Sequence, residues 1–342
     1  MAARICLLGG AGFLGSHLVQ ALLARTDVEL TVLDSCMDRL DALSSPRLRR
    51  IQARVTDAEA LQHVLQGADP VLSLTALCNP SLYNTRPRQV IDASFGELVP
   101  LVDRCTAHGT WLIHFSTCEV YGRPWPDGAP MSEATTPLVL GPVQRERWTY
   151  ACAKQLLERL IWAEQRHGGL RATIVRPFNV IGPRMDFIPG VDGEGVPRVL
   201  ACFMDALLRQ RPLRLVRGGG QRRSFLAVQE LCDAVLRVIA RPDRCQGEIL
   251  NLGNPQNDVT IAELAWRMVA IHAERHGGDA ALPCEPISAE ELYGAGYDDA
   301  DLRIPDIARA RQLLDWRPVK TLEQMLPPII DDYVARYGGR VA

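Results

Sequence analysis

The chain has 342 residues, a formal net charge of −2, 47% hydrophobic residues and 23% charged ones. Such a balance belongs to an ordinary globular protein of more than one folding unit, and it gives no electrostatic reason to expect nucleic acid or an anionic membrane as partner. No run of roughly eighteen apolar residues occurs, so no membrane span is expected, and the opening Met1-Ala2-Ala3-Arg4 is too short for a signal-peptide core; the expectation is a cytoplasmic protein. Ten cysteines are scattered without CxxC pairs or histidines at metal spacing, which predicts free thiols and no metal site.

In chain order, Arg4–Leu8 reads as a strand, Gly15–Arg25 as a helix and Leu30–Asp34 as a second strand. The Arg47–Arg50 run, like Gln221–Arg223, is expected in a solvated loop or at a local phosphate site. Val71–Leu74 and Leu112–Ser116 follow as strands, then a helix over Tyr150–Gln165 and a strand over Ala172–Pro177. This βαβα rhythm predicts an α/β fold: a Rossmann-type, doubly wound parallel sheet, with ligands in the crevice beyond the strand C-termini. After Pro177 glycines and prolines crowd the chain. Helices are expected over Val196–Arg209, Leu226–Ala240 and Ile261–His276, with strand Glu248–Leu252 returning to the main sheet. The expected organisation is a dinucleotide-binding domain over residues 1–178, rejoined by about 224–253, and a smaller, mixed substrate domain over 179–223 and 254–342.

The first βα turn reads Gly9-Gly10-Ala11-Gly12-Phe13-Leu14-Gly15. Gly9 suits a tight turn, Gly12 a close approach of pyrophosphate, and Gly15 close helix–strand packing, while Phe13 and Leu14 open a helix whose N–H groups and dipole favour a phosphate. Asp34, closing the second strand, is placed to accept from the adenosine ribose and to repel a 2′-phosphate, which selects NAD over NADP. Further on, Tyr150-Ala151-Cys152-Ala153-Lys154 sets a phenol and an ammonium one helical turn apart. A tyrosine that ordinarily titrates near pH 10 needs a cation beside it to act as a base at neutral pH.

With the strand ending at Ser116-Thr117, these features resemble the extended short-chain dehydrogenases/reductases over nearly the whole chain. Three blocks narrow the resemblance: His114-Phe115-Ser116-Thr117-Cys118-Glu119-Val120-Tyr121-Gly122, Arg176-Pro177-Phe178-Asn179, and Gly296-Tyr297-Asp298-Asp299-Ala300-Asp301-Leu302-Arg303. They are similar to the UDP-glucuronic acid decarboxylase branch and, within it, to the UDP-apiose/UDP-xylose synthases. The resemblance implies that bound NAD oxidises C4 of UDP-glucuronic acid, that CO2 leaves, and that the keto-pentose contracts to UDP-apiose or is reduced to UDP-xylose. It further implies that Tyr150 and Lys154 are the catalytic pair, that Thr117 shares the reacting oxygen, and that Arg147 tunes the tyrosine or orients the sugar. Glu119 would transfer protons, and Arg303 would meet the carboxylate with Asp299 beside it. Asn179 and Arg223 would contact the diphosphate, with Arg198 nearby, and Cys78 and Cys118 match thiols of the ring-contracting branch. A homodimer through helices flanking the sheet is also implied. Val180 departs from the branch's tryptophan and Arg217 from its aspartate, which leaves open a decarboxylase without ring contraction. An inactive nucleotide-sensing protein is the reading from outside enzymology.

Overall fold

The computed structural model describes residues 3–123, 128–294 and 297–341; Met1, Ala2 and Gly296 of the sequence readings lie outside them. Seven strands make the main sheet: β1 (Arg4–Leu8), β2 (Glu29–Asp34), β3 (Leu48–Gln52), β4 (Val71–Ser73), β5 (Leu112–Phe115), β6 (Ala172–Pro177) and β7 (Glu248–Leu252). Their order is β7-β6-β5-β4-β1-β2-β3, and every neighbouring pair is parallel. A parallel sheet must be covered on both faces, and β1 shows why this sequence allows it. Ile5 and Leu7 face one apolar cluster, Cys6 and Leu8 the other, and all four are buried. The order reverses direction between β1 and β4, so the crevice for a ligand opens there, beyond Leu8 and Ser73.

Helix α1 (Phe13–Arg25) leaves β1 through the glycine turn, and α2 (Thr149–Ala163) precedes β6. Beyond the sheet, α3 (Val199–Leu208), α4 (Val228–Ile239), α5 (Ile261–His276) and α6 (Leu322–Tyr337) follow. A second core joins α3, α5 and α6 through Leu200, Phe203, Met204, Leu264, Met268, Leu326, Ile330 and Tyr333. Thr260 and Glu263 close a reciprocal capping box at the start of α5, which fixes that boundary where the sequence placed it.

Several local readings are corrected. The arginine run is not a solvated loop: Leu48–Gln52 is the edge strand β3, and Arg47 donates to Leu23 O (2.6 Å) and to Thr26 O, while Arg50 donates to Leu40 O (2.8 Å) and Leu43 O. These guanidiniums satisfy carbonyls at the end of α1 and in the β2–β3 connection, so they are structural. Arg222–Ser224 is likewise a strand rather than a loop, pairing antiparallel with Asp258–Thr260 and parallel with Leu302–Arg303. The expected helix from Leu226 begins only at Val228, because Leu226–Ala227 pairs with Val180–Ile181. Helix α1 starts at Phe13, two residues before the expected Gly15. All ten cysteines are free, and among the described residues no helix is long and apolar enough to cross a membrane and no residue group could hold a metal.

Candidate active site

The glycine turn has the shape a dinucleotide requires. Gly9 sits at φ 77°, and a Cβ there would lie 2.9 Å from Thr75 N; a Cβ on Gly15 would come within 2.5 Å of Gly9 O. Neither position tolerates a side chain. Gly12 caps α1 without any side-chain acceptor, so the helix start presents its N–H groups and positive end to the crevice. Asp34 Oδ2 accepts from Ala11 N at 2.9 Å, which places the acidic end of β2 against the same loop. The residues present therefore fit NAD: a cradle of backbone kept free of side chains, a helix N-terminus for the pyrophosphate, and a carboxylate beside the ribose end.

Phe13 and Leu14 stand at the boundary between this cradle and a cavity of about 380 Å³. The same cavity is lined by Cys78, Thr117, Cys118, Glu119, Arg147, Tyr150, Asn179, Arg198, Arg223, Asp299 and Arg303. Residues predicted from distant stretches of the chain are thus brought to one place. Gly9, Gly12, Gly15, Asp34 and Lys154 are not part of its wall; the first four belong to the cradle, and Lys154 is buried against β5.

Tyr150 and Lys154 share a face of α2, with both side chains buried. Lys154 Nζ donates to Phe115 O at 2.9 Å, and burial lowers its ammonium to about 8. The phenol of Tyr150 meets Cys78 Sγ at 3.3 Å. Its ring stacks on Tyr83 with centroids 5.1 Å apart and planes at 10°. Burial, followed by Cys78 and Tyr83, raises the phenol well above its ordinary value. Without cofactor the Lys154 ammonium is held by the Phe115 carbonyl, and burial dominates the environment of the phenol. Thr117, at the end of β5, accepts from Glu119 N at 3.2 Å and so shapes the turn that carries Cys118 and Glu119 to the wall.

Five charges meet on the far side of the cavity. Arg147 Nη1 donates to Glu119 Oε2 at 2.6 Å, and Arg147 Nη2 lies 3.5 Å from Asp299 Oδ1. Arg303 Nη2 donates to Asp299 Oδ1 at 2.8 Å, and its Nη1 lies 3.6 Å from Glu119 Oε1. Arg223 Nη2 donates to Asp299 Oδ2 at 2.7 Å. Burial pushes both carboxyls up, but the guanidiniums outweigh it: Arg147 and Arg303 hold Glu119 below its ordinary value, and Arg223, Arg303 and Arg147 do the same for Asp299. Three arginines and two carboxylates leave one positive charge over, and Arg303 Nε is buried without a hydrogen-bond partner. Arg147 acts on this cluster and contacts Tyr83 and Tyr297, not the Tyr150 phenol.

Asn179 and Arg198 line another part of the cavity. Asn179 holds a left-handed backbone (φ 35°) and donates to Ser224 O at 3.0 Å. Arg198 is tied to Asp186 Oδ2 (3.0 Å) and Met185 O (2.7 Å), with its guanidinium over the Phe13 ring at 5.7 Å. Among the cavity residues without a role assigned from sequence are two tyrosines, Tyr83 and Tyr297. The first follows the Asn79-capped turn after β4 by only a few residues, which is the local signal that places it at the strand ends.

Strand order, glycine cradle and Tyr/Lys pair together define a nucleotide-cofactor enzyme. The chain belongs to the NAD dependent epimerase/dehydratase family, whose model matches residues 5–253, and NAD is its cofactor. It is 42% identical to UDP-D-apiose/UDP-D-xylose synthase 1 of Arabidopsis thaliana over 94% of this chain and 89% of that protein. The UDP-D-apiose/UDP-D-xylose synthase of Oryza sativa subsp. japonica is also 42% identical, over 94% and 87%. Among solved structures, the PbgP3 protein from Burkholderia pseudomallei superposes with a TM-score of 0.85 at 31% identity, covering 100% of this chain and 98% of that one.

Proposed function

We propose that the protein oxidises C4 of UDP-glucuronic acid, releases its C6 carboxylate as CO2, and contracts the ring to give UDP-apiose, with UDP-xylose formed alongside. The observation that carries this reading is the surplus positive charge at Glu119, Arg147, Arg223, Asp299 and Arg303, with Arg303 Nε left unpaired beside the cavity. A buried unpaired guanidinium edge is costly, and an anionic ligand relieves it.

When bound, NAD would supply a hydride acceptor and donor for C4. Tyr150 takes the C4 hydroxyl proton, Thr117 shares that oxygen, and Lys154 holds the cofactor ribose and supports the phenolate. The ketone then lies β to the carboxylate, so the C–C bond electrons enter an enolate as CO2 departs. Arg303 holds the carboxylate until it leaves, and the enolate carbon takes a proton that Glu119 accepts from water and passes on. In the keto-pentose, retro-aldol cleavage followed by re-aldol closure redistributes C–C bonds without net gain or loss of atoms. Cys78, 3.3 Å from the Tyr150 oxygen, and Cys118 on the wall stand where the proton transfers of that step occur. Arg223, Asn179 and Arg198 serve the diphosphate. In this reading residues 1–178 and about 224–253 carry the cofactor, and 179–223 and 254–342 the sugar nucleotide.

The ten free cysteines support a reducing compartment, and we place the protein in the cytoplasm. Exposed Leu156 and Trp162 on α2, with Ile91 on the adjoining helix Pro87–Ser94, support a homodimer through this face. The substrate assignment is tested by incubating NAD-loaded protein with UDP-glucuronic acid and resolving the products by NMR. Branched and linear pentoses together are expected, and an unchanged uronic acid rejects the proposal. Tyr150→Phe should lower C4 oxidation by about 10³-fold with NAD affinity within about twofold of wild type; undiminished turnover would remove the tyrosine from the mechanism.

A further inference from the structure

Asp299 is the hinge of the buried charge cluster. One of its carboxylate oxygens serves Arg303 (2.8 Å) and lies 3.5 Å from Arg147, while the other serves Arg223 (2.7 Å). The Ala300 N–H, 2.9 Å from Oδ1, fixes the group in place. Glu119, by contrast, meets only Arg147 and Arg303. Asp299 is therefore the only carboxylate in this cluster that spans from the sugar-side arginines to the diphosphate-side one.

We infer that Asp299 is a specificity-determining, positioning residue that divides its charge between the carboxylate-side and diphosphate-side arginines, and so sets how strongly the pocket prefers a carboxylated sugar. The inference rests on the substrate reading above. Its physical basis is that decarboxylation discharges the group the pocket binds. A field that is too positive stabilises the bound carboxylate more than the departing, neutralised one, so it tightens the ground state and slows the step. With Asp299 neutral, the surplus becomes two. Because both oxygens of the same carboxylate are shared, removing Arg223 has the opposite effect: the full negative charge then falls on Arg303 and Arg147, and the pocket's preference for an anion weakens.

The test uses NAD-loaded protein in a Tyr150→Phe background, so that bound sugars do not turn over. It compares the Kd of UDP-glucuronic acid with that of UDP-glucose, which carries a neutral CH2OH where the former has its carboxylate. Misplacement of the fold affects both ligands, whereas the ratio of the two constants reads the charge. Asp299→Asn should raise the preference for the carboxylated ligand by about tenfold, Asp299→Glu should keep the parent ratio, and Arg223→Gln should lower the ratio while weakening both ligands. In the active Tyr150 background, Asp299→Asn should lower KM and kcat for CO2 release together. An unchanged or reduced preference in Asp299→Asn overturns the inference. Should that variant not fold, an equal loss for both ligands in Arg223→Gln overturns it. A parent protein that does not distinguish the two ligands at all refutes the substrate reading instead, and the inference falls with it.

Discussion

Two buried ion groups adjoin α2, and their charge counts differ. On the sheet side, Arg176 of β6 forks onto Glu158 of α2 through Nε (2.9 Å) and Nη2 (2.6 Å), and its guanidinium lies over the Tyr121 ring at 4.8 Å. That pair is neutral, 3% and 5% exposed, and contributes nothing to the cavity wall. On the cavity side, Arg147, Arg223 and Arg303 share only Glu119 and Asp299. Each leaves one guanidinium nitrogen buried without a hydrogen-bond partner, Arg176 Nη1 and Arg303 Nε, but only the first group closes on a neutral charge. A closed pair ties a helix to a strand; an open one is stabilised further by a ligand of opposite charge. In the proposed function the same residue types serve structure in one place and recognition in the other, told apart by the count of charges.

Catalysis should respond most strongly to a change in the open cluster. Arg303→Gln should lower kcat/KM for UDP-glucuronic acid by about 10²–10³-fold, while UDP-glucose binding in a calorimeter changes by less than about threefold. Equal losses for the two ligands would place Arg303 on the structural side of the divide. Next comes the closed pair. Glu158→Gln leaves Arg176 buried and uncompensated, which should cost roughly 3–5 kcal/mol and lower Tm by on the order of 10 °C, with the kcat of the folded fraction little altered. A large loss of kcat at unchanged Tm would contradict that assignment. The smallest effect is on pH. Glu119 and Asp299 are held below their ordinary values, so the stability they contribute is complete at neutral pH and is lost as pH falls below about 4, through their folded-state values. Thermal melts between pH 7 and pH 3 should show this fall, and Asp299→Asn should flatten part of it.

The parts of the molecule that follow from local rules were legible in the sequence. β1, β6, β7 and α5 begin and end where their apolar periods and caps put them, and the glycine cradle follows from strand–turn–helix context. Where long-range pairing competes with a local pattern, the reading failed. Leu226 and Ala227 are as apolar as the helix after them and were assigned to it, yet they pair with Val180 and Ile181. Leu48–Gln52 carries two exposed arginines on a sheet edge, which hides its alternation. In the site, each charged residue was visible singly, but the shared use of Asp299 by three arginines was not, since 147, 223, 299 and 303 come together only through the fold. Tyr83, which carries the Tyr150 ring on one face and the Arg147 guanidinium within 5.1 Å, has no motif of its own.

In the proposed reaction the open cluster holds a carboxylate that then departs. Trapping the gas released when NAD-loaded protein meets UDP-glucuronic acid labelled at C6 measures this directly. One labelled CO2 per sugar consumed, with no lasting build-up of reduced cofactor, is the predicted result. Label retained quantitatively in the nucleotide sugar while C4 is oxidised or inverted would contradict it.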